Sequence, residues 1–410
     1  MNDSRADSSL LSGDTPGSVW IGRVLIAAAM LFLSSLYFSI AANSLALGLM
    51  ACAWLSLMAV RKRSLVRATP LDWYFLAYIG AEILSGIFST NPAQSFTFAK
   101  RVLLIAVVYY FASMAARRNH ASRYIAVLLG SAIAVALIGV LKLIFADPDS
   151  TRRLGIFQFY MTTSELMMMS ALLIVPFLLH PKTPSRLRWI ALAGLVPILI
   201  SLYATVTRGA YLATAAGILI IALIRNRKLI VPFLAVILLA AIFAPPYVQD
   251  RVKSIVDLQH PENQSRLMLW TLGAKIVADH PIVGVGDIDL HELFVQYSPP
   301  GTDIPWGHVH NTLLQLLVSL GVVGFVAILA LFGRIVIVEW QVYKRVKDDW
   351  LAGSFALGAI AVFAGFQVNG LTEWSFGDQE VVLLLWTTLG LTLALDRSAH
   401  TPPAQDEKSI

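Results

Sequence analysis

The sequence predicts an all-α fold, a polytopic membrane helical bundle of about twelve transmembrane helices. Three observations lead there. Of 410 residues, 57% are hydrophobic and 14% charged, against about 25% charged in an ordinary soluble domain, and the mean hydropathy is +0.70. Near-continuous apolar runs of about 17 to 25 residues, the length that crosses a hydrocarbon core, centre on Ala29, Met50, Ile79, Val107, Ala134, Leu172, Val196, Ala216, Val236, Val318, Ala359 and Leu385. Basic residues collect in alternate connections: Arg61, Lys62, Arg63 and Arg67; Arg117, Arg118 and Arg123; Lys182, Arg186 and Arg188; Arg225, Arg227 and Lys228; Lys344, Arg345 and Lys347. By the positive-inside rule these connections are cytoplasmic. An even number of spans then leaves both termini inside and the longest loop outside.

The segments follow in order. Residues 1–19 are polar and turn-rich and form a cytoplasmic tail; the apolar run after Arg23 shows no small-residue cleavage site, so no removable signal peptide is expected. Residues 20–246 hold transmembrane helices 1–9, and residues 247–309 form the one large outer loop. In that loop SRLMLWTLGAKIVADHP (265–281) places Leu267, Trp270, Ala274 and Val277 at helical spacing. This predicts an amphipathic helix lying on the membrane or over a cavity, with Ser265 as its cap and Pro281 beyond its end. GVGD (284–287) and SPPG (298–301) mark turns. Residues 310–396 hold helices 10–12, and 397–410 form a second cytoplasmic tail.

Composition also excludes. Cys52 is the single cysteine, so there is no intrachain disulfide and no cysteine-built metal site. The net charge of +6 does not imply a nucleic-acid partner, because the basic residues are spread among short connections and not gathered on one segment.

Against the positive-inside rule, Lys100, Arg101, Arg152, Arg153, Arg208, Arg251, Lys253, Arg266 and Lys275 fall on the outer side. Arg208 sits where one span ends and the next begins, a costly place for a guanidinium unless it is paired or faces a wet cavity. One reading is snorkelling to lipid phosphates or pairing with acids; the other is a pocket for an anionic lipid head group, which a planar guanidinium grips bidentately. His310 and Asn311 fall at the outer, N-terminal end of the tenth helix. There the helix dipole and nearby arginines disfavour imidazolium, so His310 suits a general base.

His310-Asn311, nine residues, Gly321, two residues and Gly324 resemble the signature of bacterial O-antigen ligases, in the membrane family shared with O-antigen polymerases and protein O-oligosaccharyltransferases. TRGAYLA around Arg208, SRLMLW around Arg266 and the topology are similar to the family as well. The resemblance implies a glycosyltransferase-C-like bundle in the bacterial inner membrane with a periplasmic active site. It implies transfer of O-polysaccharide from undecaprenyl pyrophosphate to a sugar hydroxyl of lipid A-core, with inversion and among membrane lipids. His310, Arg208 and Arg266 are then the expected catalytic residues: the histidine takes the hydroxyl proton, and the arginines bind the leaving pyrophosphate. Asn311, Arg152, Arg153, Lys100, Arg101 and Glu373 are the expected substrate-binding residues, with Asn311 orienting the imidazole or touching sugar or phosphate. Glu373 orients an arginine or the acceptor sugar. Glu82, Glu165, Glu373 and Asp378 are expected to pair with outer arginines.

No metal or other cofactor is expected, since arginines supply the charge. The rival is a cation site at Asp287, Asp289 and His291, which alternate along one face of an extended segment. Alternatives of function are the polymerase and protein-glycosylating activities of the same family and, in another class, a secondary transporter.

Overall fold

Backbone amides and carbonyls in hydrocarbon must bond within their own segment or to other protein, so apolar runs become helices. The computed structural model describes residues 16–115, 118–145, 154–243, 245–304 and 306–400; among them are helices and turns and no strand. Arg152 and Arg153, expected to touch pyrophosphate, lie outside the described residues, as do most of the two tails.

Ten helical segments are long and apolar enough to cross a membrane. They are α1 (Pro16–Ser35), α2 (Ile40–Arg61), the continuous run of α4 (Pro92–Ala99), a 3-10 turn and α5 (Ala106–Met114), α6 (Arg118–Phe145), α7 (Tyr160–Leu179), α8 (Ser185–Ala204), α9 (Arg208–Arg225), α14 (Thr312–Val346), α15 (Trp350–Asn369) and α16 (Gln379–His400). The runs centred on Ile79 and Val236 are also helical, as α3 (Asp72–Ile87) and α10 (Ile230–Ile242), but have 16 and 13 residues. At 1.5 Å per residue they reach about 24 and 20 Å, short of a full crossing. The protein is therefore a polytopic helical membrane protein with ten full-length spans among the described residues.

Three spans form the centre. The apolar windows of α7, α15 and α16 are 83, 78 and 83% buried, whereas the others are at most half buried and leave apolar side chains such as Leu45 and Leu103 outward. α15 packs on α7 and α9, α14 on α3 and α15, and α16 on α5.

The basic connections meet at one end of the bundle. Arg118 pairs with Asp349, which also caps α15; Lys182 Nζ donates to the Asp348 carbonyl (3.2 Å), Arg345 pairs with Asp396 (2.8 Å), and Arg397 donates to the carbonyls of Ala68 and Ala112. The remaining polar clusters lie at the other end, under the large loop.

That loop holds α11 (Pro246–Lys253), α12 (Pro261–Asp279) and α13 (His291–Tyr297). It builds its own apolar core from Leu269, Leu272, Ile276, Val285, Leu290, Phe294 and Val309, continuous with Val318 of α14. This corrects two expectations. α12 begins at Pro261, capped by His260, so Ser265 lies inside the helix. Its buried stripe is Leu269, Leu272, Gly273 and Ile276, while Leu267 and Ala274 are exposed. The helix packs on α14 and its loop neighbours by this stripe. Pro281 does follow its end.

The tenth span is not one continuous helix. α14 breaks at Gly321, whose φ of 60° and ψ of −170° are non-helical. The groups released by the break are bonded by the turn that contains GVGD: Val285 and Gly286 amides donate to the carbonyls of Val318 (3.1 Å) and Ser319 (2.9 Å), and Val322 and Val323 amides donate to Pro281 (2.8 Å) and Ile282 (3.1 Å). A side chain at Gly321 would meet the Ile282 carbonyl at 2.4 Å, so the glycine serves close approach of loop backbone and not helix-to-helix packing.

Candidate active site

The site grows from the N-terminus of α14. Asn311 is its N-cap: the side-chain oxygen accepts from the Leu314 amide (3.0 Å), and Nδ2 donates to the Leu371 carbonyl (3.0 Å). The Thr312 amide donates to the Gly370 carbonyl (2.6 Å) and its hydroxyl to the Glu373 carbonyl (2.9 Å). These bonds stitch residues 311–312 to the loop between α15 and α16. Asn311 thus serves the cap and ties α14 to that loop. Asn311→Ala is expected to lower unfolding free energy by about 1 kcal/mol, read as a lower thermal midpoint of the purified protein.

The seam brings Glu373 to His310, a buried residue held at a φ of +49°. Glu373 Oε2 lies 3.0 Å from His310 Nδ1, and Oε1 accepts from Arg266 Nη2 at 2.5 Å. A carboxylate bridging a guanidinium and an imidazole accepts from both, so Nδ1 carries the proton and Nε2 keeps its lone pair. Arg266 on α12, Glu373 and His310 form one chain of contacts. Glu373, expected to bind substrate, is here a bridge between two other site residues.

Arg208 opens α9 after a three-residue link from α8, and Val206 in that link has a φ of +53°. Among the described residues only Lys62, a helix C-cap, joins Val206 and His310 as a non-glycine residue of positive φ. Both of the others adjoin the site, where held strain is commonly found. Arg208 is buried; Nη1 donates to the Ser254 carbonyl (2.6 Å) and hydroxyl (2.9 Å), and Nη2 to Glu262 Oε2 (3.0 Å). Arg251 Nη2 reaches the same Glu262 oxygen at 2.7 Å.

Glu262 and Arg266 are four residues apart on α12 and so share a face, one turn apart. A Cβ on Gly209 would meet Asn369 Oδ1 at 2.7 Å and Thr372 Oγ1 at 2.9 Å, so the start of α9 also abuts the loop that carries Glu373. The three expected catalytic residues, distant in sequence, are gathered around α12. Two arginines share one glutamate.

On the other side Arg101 Nη2 pairs with Asp287 Oδ2 at 2.7 Å, and its guanidinium lies 5.4 Å from the Trp374 ring centroid. Its neighbour Lys100 is exposed. Burial raises the Asp287 carboxyl above its usual range, with Arg101 opposing. The His308 ring lies 4.2 Å from that of His310 and Trp306 stands edge-on to His310 at 5.0 Å.

Burial first, then His310 beside it, push the His308 imidazole down to about 4, with Glu373 and Asp289 opposing. Its unfolded value is about 6.5, so on acidification the unfolded chain takes this proton first. The stability His308 contributes is complete above about pH 6.5 and is lost as pH falls towards 4. Thermal midpoints measured across that interval should fall, and His308→Gln should make the fall shallower.

Asp287, Asp289 and His291 do not converge: Asp287 pairs with Arg101, and Asp289 accepts from the His291 amide at 2.9 Å. Among the described residues no group of three or more His, Cys, Asp or Glu is placed to hold a metal ion. The expected pairing of acids with outer arginines describes Glu373. Glu82 is bonded to the Tyr78 hydroxyl (2.6 Å), Asp378 to that of Thr162 (2.6 Å), and Glu165 lies beside Ser375 and Asn369. Sequence reasoning missed Glu262 and Ser254. Glu262 carried one usable signal, its position one helical turn before Arg266.

Fold and site together define a polytopic helical membrane protein with a buried histidine, carboxylate and arginine cluster at one end of its bundle. Residues 193–329 match the family model Wzy_C, described as O-Antigen ligase. The matched stretch contains Arg208, Arg266, His310 and Gly321. No curated protein matches the chain. A solved chain described as "Structural coordination of polymerization and crosslinking by a peptidoglycan synthase complex" is similar over 80% of this chain and 97% of its own, with 17% identity and a TM-score of 0.47, a likeness too slight to bear on function.

Proposed function

We propose that the protein is an inverting glycosyltransferase that moves O-antigen polysaccharide from undecaprenyl pyrophosphate to a sugar hydroxyl of lipid A-core, at the periplasmic face of the inner membrane. The observation that carries this reading is the contact chain Arg266–Glu373–His310, in which one carboxylate orients an imidazole and holds an arginine.

The chemistry follows from the arrangement. His310 Nε2 takes the proton of the acceptor hydroxyl as that oxygen bonds to the anomeric carbon, and Glu373 stabilises the imidazolium that forms. The bond from the anomeric carbon to the pyrophosphate oxygen breaks on the opposite face, so configuration inverts. Negative charge grows on the departing oxygen, where Arg266, Arg208 and Arg251 supply preorganised positive charge. The polar cluster lies at the end of the bundle away from the basic connections, which supports an outer site by the positive-inside rule. A site at helix ends leaves both lipid tails in the bilayer while the head groups react.

Deleting the gene and examining lipopolysaccharide on a gel tests the reading. The expected result is loss of the O-polymer ladder with accumulation of lipid-linked polymer, restored by the intact gene and not by Arg266→Ala. A ladder collapsed to one repeat would assign polymerase activity instead, and an intact ladder would refute both.

A further inference from the structure

A cavity of about 320 Å³ is lined by His308, the residue whose ring lies beside that of His310. Its polar wall is made by Arg101, Asp287, Asp289, His308, Gln315 and Trp374. Three chain segments meet there by specific devices. The Asp287 amide donates to Ser95 Oγ (3.0 Å) and the Leu290 amide to the Gly307 carbonyl (2.9 Å). Gly307 admits Asp289, since a Cβ there would fall 2.0 Å from Asp289 Oδ1; Gly377 admits the Trp374 indole in the same way, at 2.0 Å from Nε1.

Around Arg208 the cations are Arg208, Arg251 and Lys253 and the acids Glu262, Asp250 and Asp257. In the cavity the single cation, Arg101, is already paired with Asp287, and Asp289 adds a second carboxylate. Two carboxylates against one cation repel a diphosphate. They suit a neutral polyol, whose hydroxyls donate to carboxylates and accept from guanidinium and imidazole N–H groups. The Trp374 indole supplies an apolar wall for the C–H face of a sugar ring. His308 lines this cavity and its ring touches that of His310 at 4.2 Å. Arg266, Glu373, His310, His308 and the cavity are thus linked by successive contacts.

We propose that this cavity is the subsite for the acceptor saccharide, with Asp289 as a specificity-determining residue, and that the donor diphosphate occupies the Arg208, Arg251 and Arg266 side. The inference rests on the transferase reading above and adds to it where each substrate sits. His310 then stands between the two and receives the acceptor proton from the cavity side.

The test uses the full chain in lipid nanodiscs with lipid-linked polysaccharide as donor and lipid A-core as acceptor. Asp289→Asn keeps an oxygen for the His291 amide, so that hydrogen bond is preserved while the charge is lost. The expected result is a rise of about tenfold in the KM for acceptor, the size of one lost charge-assisted hydrogen bond, with the KM for donor unmoved. Lipid-free core oligosaccharide, released by mild acid, should compete with acceptor and not with donor, and its saturation-transfer NMR signal should fall in the variant. Transfer by the wild type with an unmoved acceptor KM in Asp289→Asn, a raised donor KM, or oligosaccharide that competes with donor would overturn the subsite and leave the transferase reading standing. Failure of the wild type to transfer at all would overturn both.

Discussion

Transfer by His310→Asn is expected to fall by roughly 10²- to 10⁴-fold, the contribution of a positioned general base. Asparagine separates chemistry from backbone strain. Residue 310 has a φ of +49°, which asparagine tolerates better than alanine, so the fold should persist while the proton acceptor is lost. Glu373→Gln is the companion. It retains an oxygen for Nδ1–H but removes the charge that Arg266 pairs with at 2.5 Å, so a smaller loss is expected. Single-turnover rates, with membrane level and monodispersity matched to wild type, check both. A well-folded His310→Asn protein transferring at the wild-type rate would remove the imidazole from the mechanism.

Gly321→Ala should be strongly damaging for a single added methyl. The φ and ψ of 60° and −170° belong to a region open essentially to glycine, and the added carbon would lie 2.4 Å from the Ile282 carbonyl and 2.5 Å from the Gly284 amide. Either the backbone stays strained or α14 straightens and the four hydrogen bonds to residues 281–286 are lost. The cost is on the order of 4 kcal/mol. Limited proteolysis within 247–309 should accelerate, and activity should fall with it, because the displaced turn carries Asp287 and Asp289. Gly333→Ala, in the same helix with nothing within 4 Å of the new carbon, should change stability by less than about 1 kcal/mol. Equal tolerance of the two substitutions would show that the break at Gly321 is not required.

Parts of the site were visible in one dimension. Arg208 and Arg266 stand out as cations on the outer side, and His310 through its spacing to Gly321. The structure brings all three around α12, and this gathering is what a single sequence does not display. The face of α12 shows why. Leu267, Trp270, Ala274 and Val277 have the right period, but so do Leu269, Leu272, Gly273 and Ile276. With apolar residues on most of the helix, only the neighbour it meets decides which stripe is buried. Asn311 is ambiguous for a related reason: a polar residue at a helix N-terminus serves the cap as readily as a substrate.

By itself the sequence determined the class of fold, the position of nearly every apolar helix and the sorting of basic connections to one end. These follow from hydrocarbon thickness and local backbone bonding, which act on contiguous residues. The tertiary structure alone decided that Glu373, 63 positions from His310, is its partner, that Glu262 joins Arg208 to Arg251, and that the motif glycine breaks a helix so that a distant turn can enter. Those outcomes depend on which helix ends meet, and a buried charge or an opened carbonyl takes whatever partner the packing delivers.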